Sequence, residues 1–567
     1  MTAGNTRNTM TGAEAMVRML EAHGVRHIFG LCGDTSLPFY DALYQLDHNI
    51  DHILTRDERS AAYMADGYAR VTGRPGICEG PSGGGATYIL PGLVEANESS
   101  IPVLAITSDV GTRSKGHYPL TELDQEGLMR PLTKFNAVIQ HADAIPDTVR
   151  TAFRKMTTGR PGSAHLGLPI DVQRGQADPD TIWADPKHQT FPAYPAGPDP
   201  EVIAAAVDAI LSARFPVIIV GGGVILSRGE ADFRSLVETL DIAVATTISG
   251  QGTIPETHPN CIGVVGSNGG LPETREIVQA ADLVVFIGCR AGSVTTELWR
   301  YPAKGTRIVH IDSDPEVIGA SYRTEVGVVS DARLALQAIE TELAGRADRK
   351  TFGGAKAIED PKSRKWAAFD HLANSDDAPI RPERTIATLR RLLDDDAIVV
   401  GDPGTPCPYI SAFYELRTTG RSLWSNRAHG ALGYAMSASV GAAVGAPGRK
   451  VVSLMGDGSF GFTCGELETV ARLGLPITFI VFSNSVYGWI KAGQKTAFGG
   501  RYFSVDFDRT DHAAVAEAFG VKAWKVTNPD DLNAALKAAI DHPGPSLVDI
   551  ISQPLNEAKA PVSEWIA

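Results

Sequence analysis

The chain has 567 residues, 66 acidic against 52 basic, and a net charge of −14. At 43% hydrophobic and 21% charged it can bury several cores, which excludes a disordered chain, and its acidic balance weighs against a nucleic-acid binder. The length corresponds to three or four domains at the usual ~150 residues each. Six cysteines form no CxxC pair, so neither a zinc ribbon nor a disulfide framework is expected, and scattered thiols fit a cytoplasmic protein. No stretch approaches ~18 uninterrupted apolar residues, so no membrane span is expected. Glycine is in surplus, 58 residues, against a usual share of ~7%.

In chain order, Thr11-Gly-Ala-Glu14 predicts a capping box that opens a helix ending near Gly24. Strands follow at 27–31, 53–55, 75–80 and 101–109, with helices at 38–46 and 58–71 between them. Alternation of this kind predicts a parallel sheet covered on both faces. A Pro-rich stretch near 184–200 reads as the first linker. Strands at 216–222, 242–248, 281–289 and 306–314 make a second α/β unit, and the charged, glycine-containing stretch 344–366 reads as a second linker. A third unit carries strands in AIVVGD, KVVSLMGDG, ITFIVFSN and SLVDIIS. The expected architecture is three doubly wound α/β domains, at 1–185, 195–345 and 379–567, with a linker at 346–378.

The most informative stretch is VVSLMGDGSFGFTCGELETVARLGLPITFIVFSNSVYGW: an apolar strand, a glycine turn with Asp457, a helix, a second apolar strand and Asn484. The 27 residues from Asp457 to Asn484 amount to one βαβ crossover. Both side chains therefore fall at the carboxyl ends of neighbouring parallel strands, where α/β sheets bind ligands. Gly456 and Gly458 allow close approach of a phosphate to the backbone. One carboxylate, one amide oxygen and a nearby carbonyl make a hard, oxygen-only site suited to Mg²⁺ shared with a diphosphate.

GDGS (456–459) followed by NSVYG (484–488) resembles the diphosphate motif of thiamine-diphosphate (ThDP) enzymes, and the resemblance spans nearly the whole chain. It is nearest the group with acetolactate synthase, pyruvate oxidase and pyruvate decarboxylase. The resemblance implies a pyrimidine domain, a central domain and a diphosphate domain. It implies that Asp457, Asn484 and the Val486 carbonyl hold Mg²⁺, with Gly456, Gly458, Ser459, Tyr487 and Gly488 around the cofactor. Ser483 stands where the family has the first Asn of a pair, which leaves the ligand position intact. ThDP needs a buried Glu on its pyrimidine to become reactive. TRDERSAAYMADGYARVTG matches the segment that carries it and puts Glu58 in that place, with Asp57 where the family often has His. GDPGT (401–405) and NRAHGALGYAM (426–436) resemble two further cofactor segments, implying that Gly404 and Thr405 meet the diphosphate, Gly430 the aminopyrimidine, and Leu432 the bend between the rings; Leu432 reads equally as a core leucine.

FGLCGDTSLP (29–38) resembles the family's first strand and turn, with Gly33 near the cofactor. Asp34 there reads either as a decarboxylase-like proton-transfer residue or as a helix N-cap. His117, in GHYPLTELDQ, reads as an acid/base or as a surface-loop histidine. After Asn484, SVYGWIKAGQ resembles pyruvate oxidase, yet Ile490 and Gly493 stand where relatives carry acids or Trp. The resemblance implies decarboxylation of a 2-oxo acid or related carbonyl compound, with carboligation to a second carbonyl, in a homodimer or homotetramer. An FAD-containing, pyruvate oxidase-like oxidase is the alternative, motivated by TTISGQGTIPETHPNCIGVVGSNGG and HIDSDPEVIG in the central domain. A non-catalytic regulatory paralogue is the third reading, weakened by the presence of Glu58, Asp457 and Asn484. The glycine surplus gathers in PSGGGAT, VGGGV, GSNGG, AHGALG and GDGSFG, the turns that end strands.

Overall fold

The computed structural model describes residues 9–565. It contains three six-stranded parallel sheets, each with at least one central strand buried along its whole length. The first sheet runs Asp51–Leu54, His27–Gly30, Gly76–Gly80, Val103–Asp109, Ala164–Pro169, Phe135–Val138. Ranked by position in the chain, that order is 2-1-3-4-6-5. The third sheet runs Leu423–Ser425, Ile398–Gly401, Val451–Gly456, Ile477–Ser483, Ser546–Ile551, Lys522–Val526, which is again 2-1-3-4-6-5. The middle sheet runs Cys261–Val264, Ala243–Thr246, Pro216–Val220, Leu283–Ile287, Arg307–Asp312, Val326–Val329, the 3-2-1-4-5-6 order of dinucleotide-binding folds. In the first and third sheets the winding reverses between the first and third strands of the chain, and that reversal opens a crevice at their carboxyl ends.

The residues divide into two compact units: the chain up to Tyr194 with Ser437–Pro447, and Pro195–Met436 with Gly448–Ala567. The first unit's core joins Met16, Val17 and Leu20 of helix Gly12–Ala22 to Leu104, Leu166 and Phe153. The capping box is present, with Thr11 Oγ1 accepting from the Glu14 amide and the Thr11 amide donating to Glu14 Oε2. Helix Glu58–Thr72 lies on Ser437–Pro447 at backbone distance: a Cβ on Gly67 would stand 2.1 Å from the Ala438 carbonyl oxygen, and one on Gly441 1.8 Å from that of Met64. Glycine at both crossings allows this approach.

The stretch 344–366, expected to be a linker, is largely helical: Gly354–Ala373 is a helix with Pro361 inside it. Its glycines, proline and charges mislead because tertiary contacts outweigh propensity. Ile358 is buried in the middle domain's core, and Lys362 Nζ donates to the carbonyls of Glu256 and His258. Among the described residues no helix is long and apolar enough to cross a membrane.

Candidate active site

The sequence-predicted residues fall into two groups, one at the crevice of the first sheet and one at that of the third. In the first, the chain leaves strand His27–Gly30 through Leu31, Cys32 and Gly33 into a short 3₁₀ turn, Asp34–Ser36. Gly33, not Asp34, occupies the N-cap position of this turn. Asp34 is exposed, and its Oδ1 accepts from the neighbouring Thr35 amide. Behind it four hydroxyls form a chain: Thr35 Oγ1 is 2.9 Å from Ser82 Oγ and 2.7 Å from Ser108 Oγ, and Ser82 Oγ is 2.7 Å from Thr121 Oγ1. They tie three strand ends to the loop that carries His117. His117 itself is exposed, with its backbone amide donating to the Ser114 carbonyl.

Glu58 opens helix Glu58–Thr72, and Asp57 caps it by accepting from the Arg59 amide. Glu58 is only 6% exposed, which for a carboxyl requires a reason. Its space is made by PSGGGAT and the strand before it: a Cβ on Gly80 would lie 3.2 Å from Glu58 Cγ, and one on Gly85 3.0 Å from Glu58 Oε1. Burial, helped by the charges of Asp57 and Glu79, pushes its carboxyl above the usual carboxylate range. The fold thus holds a desolvated acid at a sheet crevice. Sequence reasoning missed the second buried carboxyl here, Glu79, although a lone charge inside the apolar run GICEG is a visible signal.

In the third sheet, strands Val451–Gly456 and Ile477–Ser483 are neighbours, with Gly456 in register with Phe482. That brings Asp457 and Asn484 together. Asp457 Oδ2 accepts from the amides of Asn484 at 2.7 Å and Ser485 at 2.6 Å, and Oδ1 from that of Gly458 at 2.9 Å. Burial raises the Asp457 carboxyl and these amides oppose the rise. Asn484 Nδ2 reaches Thr405 Oγ1 at 3.4 Å, whereas Asn484 Oδ1 is buried without a hydrogen-bond partner. Ser459 Oγ accepts from Gly433. Val486 is buried and bridges Asp506, the Tyr487 amide donates to the Val505 carbonyl, and the Tyr487 ring lies against Gly458, where a Cβ would stand 2.8 Å from Cε1. Gly488 opens the next helix. Gly404 and Gly430 have φ of +96° and +75°, and nothing lies within 4 Å of a Cβ built on either one or on Gly456. Leu432 is half-buried.

Ser483, at the end of its strand, is fixed by His512 Nδ1 at 2.8 Å and by Asp549, so the serine is a buried anchor for the Asn484 turn. Asp402, in GDPGT but not singled out by sequence reasoning, is fully buried; its Oδ1 accepts from the Tyr434 amide, and burial pushes its carboxyl up to about 7.

The donor set fits a diphosphate and a hard divalent cation. An amide oxygen buried without a partner is costly unless something electropositive meets it, and it stands beside a carboxylate. Among the described residues no cluster of three His, Cys, Asp or Glu could hold a metal, so a cation here would rest on Asp457, Asn484 and a backbone carbonyl, with phosphate and water completing its shell.

Comparison with known proteins places the chain in a family. Family models for the thiamine pyrophosphate enzyme N-terminal binding domain, central domain and C-terminal binding domain match residues 10–128, 203–339 and 402–550. The probable acetolactate synthase large subunit of Methanococcus aeolicus is 36% identical over 558 residues, covering 96% of this chain and 92% of its own. The chain belongs to the acetolactate synthase-like thiamine pyrophosphate enzymes. The acetolactate synthase large subunit of Corynebacterium glutamicum is 33% identical, covering 96% of this chain and 87% of its own. Acetolactate synthase 1, chloroplastic, of Zea mays is 31% identical, covering 95% and 85%. As a family member, this chain is a ThDP-dependent enzyme with the family's three α/β domains.

Proposed function

We propose that this protein uses ThDP and Mg²⁺ to decarboxylate a 2-oxo acid, or cleave a related carbonyl substrate, and to join the product to a second carbonyl. The observation that carries the reading is the buried Glu58 carboxyl at the crevice of the first sheet, paired in chemistry with the Asp457–Asn484 oxygens of the third. When bound, ThDP supplies the electron sink for a carbanion next to a carbonyl. Glu58 would hold a proton toward the pyrimidine of the bound cofactor. Asp457, Asn484 and the Val486 carbonyl would hold the cation. Gly404, Thr405, Gly458 and Ser459 would receive the diphosphate, Gly430 would meet the aminopyrimidine, and Leu432 would pack against the cofactor. Ile490 and Gly493 carry no acid, so nothing at these two positions protonates a released product, which favours carboligation over aldehyde release. A cytoplasmic homodimer or homotetramer is the assembly proposed.

The deciding experiment is product analysis with ThDP, Mg²⁺ and a panel of 2-oxo acids, recording CO₂ and coupled products. Coupled 2-hydroxy ketones or 2-hydroxy acids support the reading, and neither CO₂ nor any cleaved or coupled product from 2-oxo acids and 1,2-diketones sinks it. The absorbance spectrum of the purified protein decides the FAD alternative: a flavin band with O₂ consumption would replace the carboligase reading by an oxidase.

A further inference from the structure

Beside Glu58 lies a polar cluster that the reaction above leaves unused. Glu79, in strand Gly76–Gly80, is 1% exposed. Its Oε1 accepts from the Tyr40 hydroxyl and stands 3.3 Å from His52 Nε2, and the carboxyl group also accepts from the Leu31 amide. Tyr40 Oη and His52 Nε2 are themselves 3.0 Å apart. The three partners come from three elements: helix Leu37–Gln45, strand Asp51–Leu54 and the end of strand His27–Gly30. Gly30, in register with Glu79, leaves the space, since a Cβ there would lie 2.2 Å from Glu79 Oε1. Burial raises the Glu79 carboxyl, and its three donors oppose the rise by favouring its charged form.

Glu58 lies against the next residue, Gly80, and its setting is the opposite. Its own backbone amide favours its charged form, while burial and the charges of Asp57 and Glu79 disfavour it. Two carboxyl groups in one buried region with unequal donors divide the charge unequally. The other titratable groups that face the pair are Asp57, already bonded to Arg59, Tyr40, whose hydroxyl burial holds in its neutral form, Cys32 and His52.

We propose that Glu79 is a positioning residue for Glu58: fixed as the anion of the pair by Tyr40, His52 and Leu31, it keeps Glu58 a neutral acid that presents an O–H. The functional meaning of that O–H rests on the reading of Glu58 given above; the charge division itself does not.

The test is an isotope-edited infrared titration of the full-length chain labelled with ¹³C-carboxyl glutamate, the Glu58 band being assigned by its loss in Glu58→Gln. In Glu79→Gln the Glu58 midpoint should fall by at least one pH unit, a tenfold loss of proton affinity. The amide oxygen of that variant still accepts from Tyr40, so the cluster keeps its shape. Tyr40→Phe removes one donor to Glu79, raises its proton affinity and so reduces its share of the charge, and should lower the Glu58 midpoint by a smaller amount. An unchanged or higher midpoint in a folded Glu79→Gln protein overturns the proposal; if that variant does not fold, an unchanged midpoint in Tyr40→Phe does so. Because no turnover enters this readout, a shifted midpoint in a protein inactive on every 2-oxo acid would sink the carboligase reading alone, and an unshifted one in an active carboligase would sink this inference alone.

Discussion

The first and third sheets are wound in the same strand order and open the same crevice, yet they place opposite chemistry in it. At the first, Glu58 is crowded by Gly80 and Gly85, and burial is the largest influence on its protonation. At the third, Asp457 is equally enclosed but three backbone amides converge on its carboxylate, and open backbone surrounds Gly404, Gly430 and Gly456. The winding decides where a ligand can be met. Amides pointed at a carboxyl oppose what burial does to it, and they are more numerous at Asp457 than at Glu58.

Breaking the first half should have the largest effect. Glu58→Gln removes the acid and keeps its shape, so turnover should fall by roughly 10²–10⁴-fold, the usual value of a positioned acid or base, while urea unfolding stays unchanged. Asp457→Asn tests the other half: removing outer-shell partners of a metal already costs roughly 10–100-fold in affinity, so losing a direct ligand should weaken Mg²⁺-dependent ThDP binding by more than that, as titration calorimetry would read. An equal loss of ThDP affinity in Glu58→Gln would erase the distinction between the halves.

A pH test sharpens the same contrast in a group whose burial outweighs the amides that oppose it. Asp402 is held up to about 7 against an ordinary value of 3.8. Its folded value lies above its unfolded one, so its stabilising contribution is complete below about pH 4, declines as pH rises, and is lost above about 7. Unfolding free energy of the cofactor-free chain should therefore drop across that window by roughly 4 kcal/mol at most, and Asp402→Asn should flatten the drop. The smallest effect is expected at His117, where replacement by Asn on an exposed loop should change stability by less than about 0.5 kcal/mol.

The central strands of each sheet were legible because they are apolar runs buried on both faces, as in AIVVG and ITFIVFS. Strands absent from the sequence reading are of other kinds. Phe135–Val138 and Lys522–Val526 are half-covered edges, Leu423–Ser425 is three residues long, and Ala164–Pro169 hides a buried histidine and a glycine in an otherwise apolar run. His165 is there because Thr107 meets its ring at 2.6 Å, a partner that local pattern does not reveal. The same reason governs the site. Asp457 and Asn484 could be paired by crossover length, but the hydroxyl chain joins residues 47 and 73 positions apart, and the donors of Glu79 come from three elements. Asp34 read as a possible helix cap, whereas the cap position of its turn falls one residue earlier, on Gly33.

The helix that runs from Tyr434 to Gly445 has a covalent consequence. Its residues from Ser437 onward belong to the first unit, so the chain leaves that unit at Tyr194 and comes back to it more than two hundred positions later. A fragment cut after Tyr194 would carry Met64 and Gly67 on a bare helix face shaped for a backbone it no longer owns. The half that holds Glu58 is therefore not a module that proteolysis or truncation can release intact; its last piece is encoded inside the half that holds Asp457.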